Sequence, residues 1–202
     1  MPDMITSVEV LVLMAVIGYL LGSIPSGVVI ARVMGLGNLR DIGSGNIGAT
    51  NVLRTGNKKA AALTLLFDAG KGAVAVLLAR ALVGEDAAQL AGLAAFLGHC
   101  FPVWLKFKGG KGVATYFGIA FAMSLFAGAI AGVIWLAVAA ISRYSSMAAL
   151  MTGGWMPVFI VLFGNNQMFL LFAVLAVLIY VRHGANIKRL RSGTETKIGA
   201  KP

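Results

Sequence analysis

Six apolar runs recur along this chain, at 8–34, 60–83, 87–105, 113–142, 145–163 and 167–181, with only short polar segments between them. A helix needs about 20 mostly apolar residues to cross roughly 30 Å of hydrocarbon, and only helices and closed barrels satisfy their own backbone there. Runs of this length predict an all-α integral membrane protein. Composition agrees: 59% of residues are hydrophobic and 12% charged, where a soluble domain has about a quarter charged. The 26 glycines suit close helix–helix approach. No hydrophilic stretch is long enough to fold by itself, so residues 1–202 read as a single polytopic membrane domain. Cys100 is the one cysteine, which excludes a disulfide framework and a thiolate metal cluster. Asp3 and Glu9 precede or open the first run in place of the basic start of a signal peptide.

Charge sets the number of crossings. As one helix, 113–142 would be about 45 Å long, too long for an ordinary span; a turn near Ser124 to Gly128 makes two. The result is a seven-transmembrane-helix bundle with its N-terminus outside and its C-terminus cytoplasmic. Fifteen of the 17 Lys and Arg residues then lie on the cytoplasmic side, leaving Lys71 within a span and Arg80 near an outer end. Six crossings would put the basic tail outside. The net charge of +10 sits in short clusters beside the spans, which suits anionic lipid headgroups and anionic substrates and not nucleic acid.

Three cytoplasmic segments, 35–59, 106–115 and 182–202, hold most of the residues capable of chemistry. The first reads Gly43-Ser44-Gly45-Asn46-Ile47-Gly48-Ala49-Thr50-Asn51 and continues to Arg54. Glycines among small polar residues leave amides open to an anion. Thr50 and Asn51 are expected to cap the following helix, and Arg54 offers a planar fork for phosphate. In the second segment Gly109-Gly110-Lys111-Gly112 opens a helix that continues to Thr115. Bare backbone, a helix N-terminus and a lysine suit a phosphate, although Gly112 stands where a Walker A loop has Ser or Thr. In the third, His183 and Asn186 share a helix face, and Glu195 is the tail's one acid. A histidine beside an asparagine can orient or deprotonate a hydroxyl.

Within the spans, Asp68 and Lys71 lie three apart on one helix face. They make either a structural ion pair or part of a cleft dipping into the membrane. His99 closes a span as an interfacial hydrogen-bonder or a ligand, and its neighbour Cys100 reads as a small buried hydrophobe.

Together these segments, GSGNxGATN with its following Arg, GHxFPxxxxFxGGKGVAT, and HxxNIxRLxxGxE, resemble the three cytoplasmic motifs of the bacterial acyl-phosphate:glycerol-3-phosphate acyltransferases. The resemblance runs over essentially the whole chain, in order. It implies transfer of a fatty acyl group from acyl phosphate to the sn-1 hydroxyl of glycerol 3-phosphate, giving lysophosphatidic acid in the first step of phospholipid synthesis. It implies a seven-span bundle in the bacterial cytoplasmic membrane with its site facing the cytoplasm, and no metal or organic cofactor. It also implies roles: Ser44 and Arg54 in catalysis, His183 and Asn186 in support of activity, Gly109 to Gly112 as the glycerol-phosphate loop, and Glu195 in structure. Neither histidine begins the HxxxxD motif of acyl-CoA-dependent enzymes, since Trp104 and Lys188 stand five residues on. Gly43, Gly45, Asn46, Thr50, Asn51, Lys71, His99 and Thr115 join the expected phosphate-binding set, and Asp68 the structural one. The rival class is an anion or phosphate transporter, which would place its site near the midplane on broken helices.

Overall fold

The structure is a computed structural model describing residues 2–3 and 5–199; Lys201, counted above with the basic tail, lies outside them. Among the described residues ten α-helices form one bundle. In chain order they are α1 (Val8–Ser23), α2 (Ser26–Val33), α3 (Ala49–Leu53), α4 (Lys58–Leu82), α5 (Glu85–Cys100), α6 (Val113–Met123), α7 (Leu125–Ser142), α8 (Ser145–Leu162), α9 (Phe169–Arg182) and α10 (Gly184–Arg191). Pro25 divides α1 from α2: its ring forces Ile24 into extended backbone, at φ −61° and ψ 116°. The expected turn in 113–142 falls at Ser124, whose backbone is extended and whose hydroxyl accepts from the Ala127 amide.

Among the described residues five helical stretches are long and apolar enough to cross a membrane: Val8–Val33, Lys58–Leu82, Glu85–Leu105, Leu125–Ser142 and Ser145–Leu162. The pair Asn166–Arg182 and Gly184–Arg191, bent by 61°, makes a sixth when the two are taken together as one span. Helix α6 has 11 residues, about 16 Å, or half the hydrocarbon thickness. Its shortness has a local cause. The segment before it does not start at the bundle's end but runs inward beside α5, so that a side chain at Gly112 would strike the Phe96 ring.

Helix contacts are close because small residues face each other. A methyl at Gly18 or Gly22 of α1 would collide with the carbonyls of Ala91 or Ala95 of α5, and one at Gly118 of α6 with that of Ala69 of α4. The interior is filled by Phe96, Tyr116, Ile119, Met156, Phe172 and Leu175, and Tyr116 meets Phe172 edge to face at 5.7 Å. Large apolar side chains such as Leu66, Val133, Leu136 and Val177 point outward, as a lipid-facing surface requires. At one end Arg80 ties α4 to Glu85, at 2.7 and 2.9 Å, and to carbonyls at the end of α6. At the other end α4, α6 and α8 begin and α5 and α9 finish, and there the three polar segments meet.

Candidate active site

Asn51 organises the first segment. It is 1% exposed, and its amide nitrogen donates to the Leu39 carbonyl at 2.9 Å. Its amide oxygen accepts from the Ser44 amide at 3.0 Å, the Ser44 hydroxyl at 3.3 Å and Arg54 Nη1 at 3.4 Å. One buried side chain therefore orients both residues expected to act on substrate. Gly43 and Gly45, at φ 53° and 67°, hold the chain in left-handed backbone on both sides of Ser44 and leave it exposed. A side chain at Gly43 would strike Arg54 and Asn51. The capping expectation is corrected: α3 has five residues and begins after Gly48, so Thr50 and Asn51 lie inside it and cap nothing. The exposed Thr50 hydroxyl instead lies 3.3 Å from that of Ser145, at the start of α8. Asn46 is half-buried on the same loop.

The second segment corrects a further expectation. The amides of Gly109 and Gly110 are not open, because they donate to the carbonyls of Cys100 and His99, each at 3.1 Å. Both glycines are explained by contact with the end of α5: a methyl at Gly109 would meet Pro102 and the His99 carbonyl, and one at Gly110 the His99 ring. The open amides lie further on, from Lys111 to Ala114, where none has an acceptor among the described residues. Burial pushes the Lys111 ammonium down to about 8; Glu195 opposes this, while Arg189, Arg54 and Arg182 add to it.

Below this loop lies a buried polar cluster. Lys71 Nζ is 2.8 Å from Asp68 Oδ1 and donates to the Ile24 carbonyl at 2.8 Å; His99 Nδ1 is 3.5 Å from the same carboxylate oxygen. The Thr115 hydroxyl, fully buried, donates to the Asp68 carbonyl at 2.9 Å. Lys71, His99 and Thr115, expected at a phosphate, are thus engaged with protein groups. They hold α4, α5 and α6 together beneath the loop. Cys100 is fully buried.

In the third segment His183 Nδ1 lies 2.8 Å from the Ile179 carbonyl. A carbonyl only accepts, so Nδ1 carries the proton, and in the neutral ring Nε2 then keeps its lone pair. Asn186 donates to Glu195 at 2.6 Å, and its own amide oxygen is buried without a partner among the described residues. Glu195 also accepts from Ser146 at 2.7 Å and Arg189 at 2.6 Å. Burial opposes its ionisation, yet these three donors keep the carboxyl below the ordinary range.

The segments converge. Lys111 lies in the electrostatic field of Arg54 from the first and of Arg189 and Glu195 from the third. The opening serines of α8 touch the first segment through Ser145 and the third through Ser146. Sequence reasoning missed Ser145, Ser146 and Arg182. The serine pair opening a span and the arginine directly before His183 were the available signals. Among the described residues no group of three His, Cys, Asp or Glu comes together to hold a metal.

The family model for glycerol-3-phosphate acyltransferase matches residues 12–193. The glycerol-3-phosphate acyltransferase of Dinoroseobacter shibae is 61% identical over 100% of this chain and 99% of its own; that of Cereibacter sphaeroides (strain ATCC 17025) is 58% identical, over 100% and 96%. The crystal structure of PlsY (YgiH), an integral membrane glycerol 3-phosphate acyltransferase, superposes in its glycerol 3-phosphate form with a TM-score of 0.88 at 38% identity, over 94% of this chain and 96% of that one. Its lysophosphatidic acid form gives 0.85 at 36%, over 94% and 95%. Motifs, fold and kinship agree, and the chain belongs to the glycerol-3-phosphate acyltransferase family.

Proposed function

We propose that the chain moves a fatty acyl group from acyl phosphate to the sn-1 hydroxyl of glycerol 3-phosphate, releasing lysophosphatidic acid and inorganic phosphate. The observation that carries this reading is the pairing of Asn186 Oδ1, a buried acceptor without a partner among the described residues, and the neighbouring His183 imidazole with the cations around Lys111. An acceptor alcohol with a phosphate at its far end satisfies both. Its phosphate takes Lys111, Arg54 and the open amides from Lys111 to Ala114, and its hydroxyl faces Asn186 and His183. Gly43, Gly45, Asn46, Thr50 and Asn51 shape the floor that presents Ser44. Gly109, Gly110 and Gly112 shape the loop, and Asp68, Lys71, His99 and Thr115 support it from below.

Acyl phosphate is a mixed anhydride with a good leaving group, so the reaction asks chiefly for positioning and charge stabilisation. The hydroxyl oxygen forms the new ester bond at the carbonyl carbon, the bond to phosphate breaks, and the hydroxyl proton passes to His183 Nε2 or to a substrate phosphate. Ser44 donates a hydrogen bond to developing negative charge. Polar groups gathered at one end of the bundle, and family membership, leave the transporter reading without support. We further propose seven crossings of the bacterial cytoplasmic membrane. Helix α6 crosses as a short helix below its inserted loop, and the site faces the cytoplasm within one polytopic domain. Detergent-purified protein should make lysophosphatidic acid from acyl phosphate and glycerol 3-phosphate and not from acyl-CoA. The same yield from acyl-CoA would sink the donor assignment.

A further inference from the structure

Residues 106–110 are an improbable piece of backbone. Lys106 and Phe107, neither a glycine, sit consecutively in the left-handed region at φ 52° and 61°, which bulky residues adopt only where their surroundings hold them. The next three carbonyls are each taken by an arginine. Arg40 Nη2 donates to Lys108 O at 2.6 Å, Arg182 Nη2 to Gly109 O at 3.1 Å and Arg182 Nε to Gly110 O at 3.0 Å. Arg182 Cζ also lies over the Phe101 ring, 4.9 Å from its centre. The amides of Gly109 and Gly110 are tied to α5. Gly109 and Gly110 are thus pinned to α5 through their amides and to Arg182 through their carbonyls, with Arg40 holding the carbonyl before them.

We propose that Arg182 is a positioning residue for the phosphate site. It grips the Gly109 and Gly110 carbonyls, turns them away from the bound phosphate, and fixes Lys111 and the open amides at the distance from His183 that one substrate molecule spans. The proposal rests on the reading of Lys111 as a phosphate ligand. Arg182 ends α9, and the next residue is His183, at the 61° bend into α10. The group that holds the loop is therefore fixed to the same turn as the imidazole. Carbonyl oxygens facing a phosphate would repel it; oxygens engaged by a guanidinium do not compete with the amides beyond them. A guanidinium suits the task because its fork reaches two adjacent carbonyls at once, which an ammonium does not.

The test is steady-state kinetics and amide hydrogen exchange on the purified full chain. It compares wild type, Arg182→Gln, Arg182→Lys, Lys111→Met, and Arg182→Gln combined with Lys111→Met. Arg182→Gln should raise KM for glycerol 3-phosphate roughly ten- to hundredfold, by the loss of two charge-assisted hydrogen bonds. KM for the acyl donor should change by less than about threefold, and the Gly109 and Gly110 amides should lose protection. Arg182→Lys, which keeps the charge on a single donating nitrogen, should recover part of each effect and serves alone if the glutamine variant does not fold. In the Lys111→Met background Arg182→Gln should add less than about twofold, because the residue it positions is gone. Unchanged loop protection in both arginine variants would overturn the proposal. So would full multiplication of the two effects, the mark of a direct ligand. If Lys111→Met alone left KM unchanged, the phosphate-site reading would fail, while loop protection would still report whether Arg182 holds the loop.

Discussion

Ser44 has its amide and its hydroxyl turned toward one acceptor, the Asn51 oxygen, and among the described residues no imidazole is hydrogen-bonded to it. An activated nucleophile needs a base within reach, so this geometry favours a donor's part. Ser44→Ala should then cost about 10²–10³ in rate, the usual loss of one oriented donor. Kinetics should be of the intersecting two-substrate kind, and no acyl group should remain on denatured enzyme after exposure to acyl phosphate alone. Recovery of labelled Ser44 would reverse the assignment. Lys111 gives a second prediction at this scale. With its ammonium pushed down to about 8, it is charged at neutral pH and loses that charge as pH rises through about 8. Since kcat/KM reports groups of the free enzyme, kcat/KM for glycerol 3-phosphate should fall on the alkaline side near that pH. Lys111→Arg, which stays charged, should carry the limb several units higher or abolish it. An alkaline limb unmoved by that substitution would remove Lys111 from the phosphate site.

Helix α5 and the loop that folds back on it act as one element. Gly110 lies against the His99 ring, so Gly110→Ala overpacks a buried contact, at a typical cost of about 1–3 kcal/mol. The variant should melt lower and bind glycerol 3-phosphate more weakly. Truncating the ring, in Gly110→Ala with His99→Ala, should return part of the lost melting temperature relative to His99→Ala alone. No such coupling would mean that Gly110 is required for the phosphate's approach and not for packing. The carboxyl-terminal strap is the other element. Glu195 gathers Ser146, Asn186 and Arg189, and Glu195→Ala would leave a buried amide nitrogen unpaired. Hydrogen exchange should then quicken across α10, and activity should fall with it. Much of this was legible in the chain: glycine, asparagine and basic residues between apolar runs stand out, because hydrocarbon tolerates so few of them. The break at Ser124 also followed from length and charge. What did not follow was which amides remain open. That depends on Gly109 and Gly110 meeting the carbonyls of α5, an approach between two segments that local spacing does not encode. Asn51 as a shared acceptor and Arg182 as a clamp were hidden for the same reason.

At the scale of the molecule, one end of the bundle gathers the cations and open amides, and the other is closed by Arg80, Glu85 and Asp86. Cysteine labelling in a Cys100→Ala background should find probes at Glu85 and Asn165 reactive from outside the cell. Probes at Lys108 and Ser192 should react only from inside; a tail reached from outside would contradict seven crossings. The central claim is that three segments distant in sequence build one site for a phosphate and its hydroxyl. It is tested most directly by a crystal structure of this chain with glycerol 3-phosphate bound. The phosphate should lie on Lys111, Arg54 and the first amides of α6, with the sn-1 hydroxyl within hydrogen-bond distance of Asn186 Oδ1 or His183 Nε2. A phosphate seated away from Lys111, or a hydroxyl turned from both Asn186 and His183, would contradict it.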